Sequence, residues 1–333
     1  MKLDGGLFGD LDGVGARVRA LEDAGYDGAM TAETSSDPFF PLLLAAEHSE
    51  KIDLITSIAV AFARSPMILA NIAHDLNVYS KGRFVLGLGS QIKPHITKRF
   101  SMPWSHPAPR MREFILAMRA IWDCWYKGEK LEFRGEFYTH TLMTPMFTPT
   151  VKTFGAPRVY LAAVGPLMTE VAGEVADGLI AHAFTTQRYM NEVTLPAIER
   201  GLAKSGRRRE DFEITCPSFI LAAENEEQYV QQREGICRQI AFYGSTPAYR
   251  PVLDLHGWGG LQGELNAMSK QGQWVEMGKL ITDEILEEFA VVSEPSQLAA
   301  SIGKRWGGVI DRITCTFNAG EGQAQLMEEL RKI

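Results

Sequence analysis

The stretch RFVLGLGSQIKPH, residues 83–95, decides the fold, because it admits two incompatible readings. An apolar run followed by Gly87 and Gly89 could open a dinucleotide-binding G-x-G-x-x-G loop, in which a strand passes through glycines into a helix that receives a pyrophosphate. The third glycine of that pattern would fall at position 92, which is Ile92, and Pro94 opposes a helix directly after the glycines. Glu113 lies at a suitable distance for the ribose-binding acid, but it cannot restore the motif alone. The stretch therefore reads as a strand that ends at Gly89 and turns through Ser90 and Gln91 into a connection.

Working outward, short aliphatic runs alternate with segments of helical period along the whole chain. Upstream, strands are predicted over 2–9, 26–33 and 52–60. The helix after the first carries Val14, Val18 and Leu21 at three- to four-residue spacing and ends at Gly25. Asp37 and Ser65, each followed by proline, supply an N-cap and a first-turn proline for the next two helices. Downstream, strands are predicted over 158–163, 177–184, 212–223 and 310–317, with helices over 164–176, 186–206, 224–244 and 321–333. Eight βα units close a sheet without edges, whereas a doubly wound sheet leaves two. The predicted fold is a (β/α)8 TIM barrel forming one domain over 1–333, with insertions at about 90–157, after strand 4, and about 243–292, after the helix that follows strand 7.

Composition bounds the function. With 34 basic and 41 acidic residues the formal charge is −7, which gives no general attraction to nucleic acid or an anionic membrane. The four cysteines are scattered without a C-x-x-C pair, and the seven histidines show no H-x-H or H-E-x-x-H spacing, so no disulfide framework and no metal site are expected. No signal-like or membrane-length apolar run is present, and the expectation is a cytoplasmic protein. In such a barrel, chemistry collects at the C-terminal ends of the strands. Those ends include Phe8, Glu33 with Thr34, Ser57 with Ile58, Gly89 with Ser90, Ala163 to Gly165, and His182.

LITSIAVAFARSPMILANIAHDLNVYSKGRFVLGLGSQ (54–91) and RVYLAAVGPLMTEVAGEVADGLIAHAF (158–184) resemble the bacterial luciferase-like superfamily, in particular its oxidoreductases that use the deazaflavin coenzyme F420. The resemblance implies hydride transfer between F420 and a small organic substrate, and a homodimer. An FMN-dependent monooxygenase is the alternative on the same scaffold, and a phosphate-ligand binding barrel without redox activity is a third. It further implies a cis peptide between Ser57 and Ile58 behind the ring, and an acidic residue, here Glu33, near the ring's polar edge. The next family position is often a catalytic histidine. Thr34 stands there, and a hydroxyl cannot replace an imidazole near neutral pH. Glu33, His95 and His182 are therefore the candidates for acid–base work.

For cofactor binding, Ala162, Ala163, Val164 and Gly165 leave backbone approachable, and a helix starting at Pro166 points free N–H groups at an anion. From Leu76 to Arg112 there is no carboxylate, while Lys93, His95, Lys98, Arg99, His106 and Arg110 accumulate, a local positive zone beside the predicted mouth. Lys93 and His95 lie closest to the strand end. Tyr243, Tyr249 and Trp258 are candidate ring-stacking residues of a lid, and Arg250 a further anion contact.

Overall fold

The computed structural model describes residues 1–315 and 323–333. Its described residues include eight parallel strands that close into a barrel: β1 (Lys2–Gly6), β2 (Gly28–Thr31), β3 (Asp53–Thr56), β4 (Phe84–Gly89), β5 (Arg158–Ala163), β6 (Gly178–Ala181), β7 (Glu213–Pro217) and β8 (Arg312–Thr314). Closure is made by the pairing of Leu3 with Ile313. Helices α1 (Val14–Asp23), α2 (Phe39–Glu47), α3 (Pro66–Tyr79), α4 (Pro107–Lys127), α5 (Pro166–Val175), α6 (Leu195–Ser205), α7 (Leu298–Trp306) and α8 (Gln323–Arg331) follow the strands in turn. The (β/α)8 fold predicted from the alternation is the fold observed. Of the predicted strand 8 and last helix, Thr316, Phe317, Glu321 and Gly322 lie outside the described residues.

Local chemistry sets the helix starts. The Asp37 carboxylate accepts from the Phe39 N–H at 2.8 Å, and the Ser65 hydroxyl from the Ile68 N–H at 3.3 Å, with proline next in each case. Pro196 falls where an α-helix would lose a hydrogen bond. The chain absorbs it through a wider, five-residue π-turn at Met190–Thr194 just ahead of α6.

Inside the barrel Met30, Ile55, Val85, Tyr160 and Ile180 fill the interior, and a larger core lies between strands and helices. At the N-terminal end the interior is closed by charge. Arg312, fully buried, donates to both oxygens of Asp4 at 2.9 and 2.6 Å and to Asp53 at 2.9 Å, while Arg158 reaches the other Asp53 oxygen at 2.7 Å. The hydrogen bonds that Arg312 donates to Asp4 hold its guanidinium charged against the cost of burial.

Two elements differ from expectation. The predicted strand 212–223 is broken at Ser218, directly after Pro217; Phe219–Leu221 leaves the barrel and pairs in parallel with Ala290–Val292. These strands, the helix Glu226–Gly244 and the helices between 250 and 289 share a second core around Phe184, Ile240, Leu253 and Phe289. Pro94, read as opposing a helix, sits in the first turn of a helical segment over 93–99, where a missing N–H costs nothing. No helix among the described residues is long and apolar enough to cross a membrane.

Candidate functional site

The site is built around an irregularity in β3. Leu54 and Ile55 pair with Phe84 and Val85, but the ladder resumes with Ala59 opposite Leu88 and Val60 opposite Gly89, one residue out of step. This is a bulge, and within it the Ser57–Ile58 peptide is cis. The Thr56 hydroxyl bridges the gap, donating to the Gly87 carbonyl at 2.8 Å and accepting from the Gly87 N–H at 2.9 Å. A Cβ on Gly87 would stand 1.8 Å from the Thr56 carbonyl oxygen, and one on Gly89 would stand 2.8 Å from Ile58 Cδ1. The glycines that imitate a nucleotide loop thus serve a close approach between two strands.

Glu33, at the end of β2, buttresses the same bulge. Its N–H donates to the Ile58 carbonyl at 3.2 Å, and its Oε2 accepts from the Val60 N–H and from Arg64, both at 2.7 Å. Arg64 also pairs with Asp37 at 3.0 Å and lies over the Phe39 ring. Glu33 Oε1 makes no hydrogen bond among the described residues. Arg64 was not singled out in the sequence; its one signal was its place between the bulged strand and the Ser65 cap.

The connection after β4 folds back over the neighbouring strand ends, because Arg99 donates to the Thr34 carbonyl. Ser90 turns the chain at the strand end, its hydroxyl donating to the Gln91 carbonyl at 3.2 Å. Lys93 and His95 are exposed on the same helical segment as Arg99. Arg110 does not belong to the free positive zone: it is buried, stacked 4.5 Å over Phe62, and donates to Tyr138 Oη and the Pro103 carbonyl.

On β5, Ala162, Ala163, Val164 and Gly165 are partly exposed and lead into α5 at Pro166. Gly165 is extended, with no side-chain cap, and a Cβ placed there would meet nothing within 4 Å. The first-turn N–H groups of Leu167 and Met168 have no helical acceptor by geometry, so this end presents donors to solvent. Ala163 pairs with Ala181, which places His182 one residue past that register, beside Val164. Tyr189 fixes the junction by donating to the Val164 carbonyl at 3.2 Å.

The His182 ring lies 4.6 Å from both Tyr243 and Tyr249, and its Nδ1 accepts from the Phe184 N–H at 3.0 Å. Burial pushes the imidazole down to about 4, so it is neutral near pH 7. That opposes a role as a proton-donating imidazolium. Trp258 stacks on His256 at 4.7 Å, away from this trio, and Arg250 pairs with Asp254. The strand ends of β2 to β6 thus carry Glu33, Thr34, Ser57, Ile58, Ser90, Ala163, Val164 and His182 along one continuous arc. Among the described residues no group of three or more histidines, cysteines or carboxylates could hold a metal.

With this geometry in view, the sequence profile of the luciferase-like monooxygenase family matches residues 3–311. The chain belongs to that family. An uncharacterized protein of Mycobacterium tuberculosis is 54% identical to this luciferase-like chain over 319 residues, covering 96% of it and 94% of the relative. A putative coenzyme F420-dependent oxidoreductase of the same organism is 26% identical, covering 83% and 82%. Among solved structures, the coenzyme F420-dependent tetrahydromethanopterin reductase of Methanopyrus kandleri superposes with a TM-score of 0.77 at 18% identity, covering 99% and 96%, a likeness of fold. The luciferase-like family and its relatives make this chain an oxidoreductase or monooxygenase.

Proposed function

We propose that the protein is an oxidoreductase that binds coenzyme F420 at the C-terminal mouth of the barrel and exchanges a hydride with a small organic substrate. The observation that carries this reading is the arc itself: a wall pared to backbone and small side chains, flanked by an open helix N-terminus and an exposed basic turn. A planar ring with an anionic tail fits that combination. The bulge at Ser57 and Ile58 backs the ring, and Glu33 Oε1 accepts a hydrogen bond from its polar edge. The N–H groups of Leu167 and Met168, with Lys93 and His95, hold the negative tail. A bound deazaflavin supplies two-electron hydride chemistry; the protein contributes orientation and the exclusion of water by the second-core segment that carries Tyr243 and Tyr249.

The family's monooxygenase members support a second reading, with FMN and oxygen. The two separate in a single-turnover assay run without oxygen and in air, in which reduced cofactor is mixed with enzyme and a panel of carbonyl compounds and the substrate-dependent change in its visible absorbance is followed. Substrate-dependent reoxidation of reduced F420 without oxygen supports the proposal. Turnover only with reduced FMN and only in air overturns it.

A further inference from the structure

We propose that His182 is a fixed, neutral hydrogen-bond donor for an uncharged carbonyl or carbinol oxygen of the substrate, whose apolar part packs against the mouth-facing edge of the cluster that His182 forms with Tyr243 and Tyr249. The inference rests on the barrel mouth being the substrate site and names the class of molecule that the mouth takes.

The tautomer follows from the backbone. A neutral imidazole has one donor and one acceptor nitrogen, and Nδ1 of His182 is the acceptor for the Phe184 N–H at 3.0 Å. The proton therefore sits on Nε2, which makes no hydrogen bond among the described residues. The ring cannot readily turn to exchange the two nitrogens, because it is confined on two sides: Tyr243 packs edge-on at 81° and Tyr249 at 43°, each 4.6 Å away. Those tyrosines come from separate elements, the helix Glu226–Gly244 and the turn Pro247–Tyr249, so the second core brings both walls to the end of β6.

The electrical character of the box is also set. Among the described residues, the titratable groups that face His182 are the two phenols, and Phe184 on its own segment is apolar. Burial moves the imidazole down to about 4, with no neighbouring charge contributing among the described residues, and burial first moves the Tyr249 phenol up to about 12. Tyr243 Oη accepts from Gln239 at 3.1 Å, whereas the Tyr249 hydroxyl has no hydrogen-bond partner among the described residues and offers a second donor. Neutral donors between aromatic faces suit an acceptor oxygen on an apolar frame. A carboxylate placed there loses its hydration without gaining a cation.

The test needs no cofactor, so its failure is distinguishable from failure of the hydride-transfer reading. Imidazole nitrogen NMR on the full-length protein labelled at histidine reports tautomer and protonation directly. The expected result is an Nε2–H tautomer that does not titrate between about pH 5.5 and 8. Cyclohexanone is expected to shift the Nε2 resonance saturably, and cyclohexanecarboxylate to leave it unmoved. His182→Phe is expected to weaken cyclohexanone binding at least about tenfold, with His182→Gln retaining part of it. A proton on Nδ1, a midpoint above about pH 6, tighter binding of the carboxylate, or no shift at about 50 mM cyclohexanone each overturns the proposal.

Discussion

Replacing Gly87 with alanine tests the account of the bulge. The new Cβ would lie 1.8 Å from the Thr56 carbonyl oxygen and 2.6 Å from Ile180 Cδ1, inside the barrel. A backbone oxygen cannot swing aside as a side-chain tip can, so β3 and β4 must separate. That separation breaks both hydrogen bonds of the Thr56 hydroxyl to Gly87, each contributing about 1 kcal/mol, and adds about 1–3 kcal/mol of overpacking. The expected loss is about 3–5 kcal/mol. For Gly89→Ala the three nearest atoms are all in the Ile58 side chain, at 2.8 Å or more, and the variant is expected to lose about 1 kcal/mol. Gly165→Ala meets nothing within 4 Å at a φ of −76°, and is expected to change stability by less than about 1 kcal/mol, the stiffer unfolded chain offsetting a poorer helix N-cap. Urea unfolding of the three variants at unchanged slope gives the order directly. The reasoning fails if Gly87→Ala loses no more than Gly89→Ala.

Other expectations follow from single groups. Arg312→Leu strands the fully buried Asp4 and is expected to cost about 3–5 kcal/mol, whereas the double change with Asp4→Leu is expected to recover much of that loss; a single variant of near wild-type stability contradicts the charge plug. Because the folded His182 pKa of about 4 lies below the unfolded value of 6.5, the unfolded chain binds more protons between them. This contribution is complete above about pH 6.5 and is lost as pH falls toward 4. Acidifying from about pH 7 to 5 therefore costs wild type about 2 kcal/mol more than His182→Phe, read as the difference in unfolding midpoints; equal slopes refute it. Charge reversal at Lys93 and Lys98 together is expected to slow F420 association about tenfold at low salt and to have little effect at about 1 M salt; a salt-independent loss points to structural damage instead.

The sequence carried the framework of the fold wherever the determinant is local. The Asp37–Pro38 and Ser65–Pro66 pairs announced two helices, and Gly25 and Gly82 adopt the positive φ that ends α1 and α3. What stayed hidden depends on contacts between distant segments. Gly87 and Gly89 read correctly as the end of a strand, but the reason they are glycines, a bulge in the neighbouring strand, has no local signature. Arg64 and Arg110 carry the same charge in the same part of the chain, yet Arg64 engages Glu33 at the mouth and Arg110 is locked between Phe62 and Tyr138. The pairing of Phe219–Leu221 with Ala290–Val292 joins segments too far apart in the chain for periodicity to connect them. His182 was visible as a strand-end histidine, but its neutral state comes from two tyrosines supplied by the second core.

The central claim is that the arc from Glu33 to His182 receives a deazaflavin with an anionic tail. Isothermal titration calorimetry of the purified protein with oxidised F420 and, separately, with FMN tests it most directly. The account predicts saturable one-site F420 binding, weakened by Glu33→Gln and by charge reversal at Lys93, and tighter than any binding of FMN. Submillimolar FMN binding with no detectable heat from F420 would contradict it.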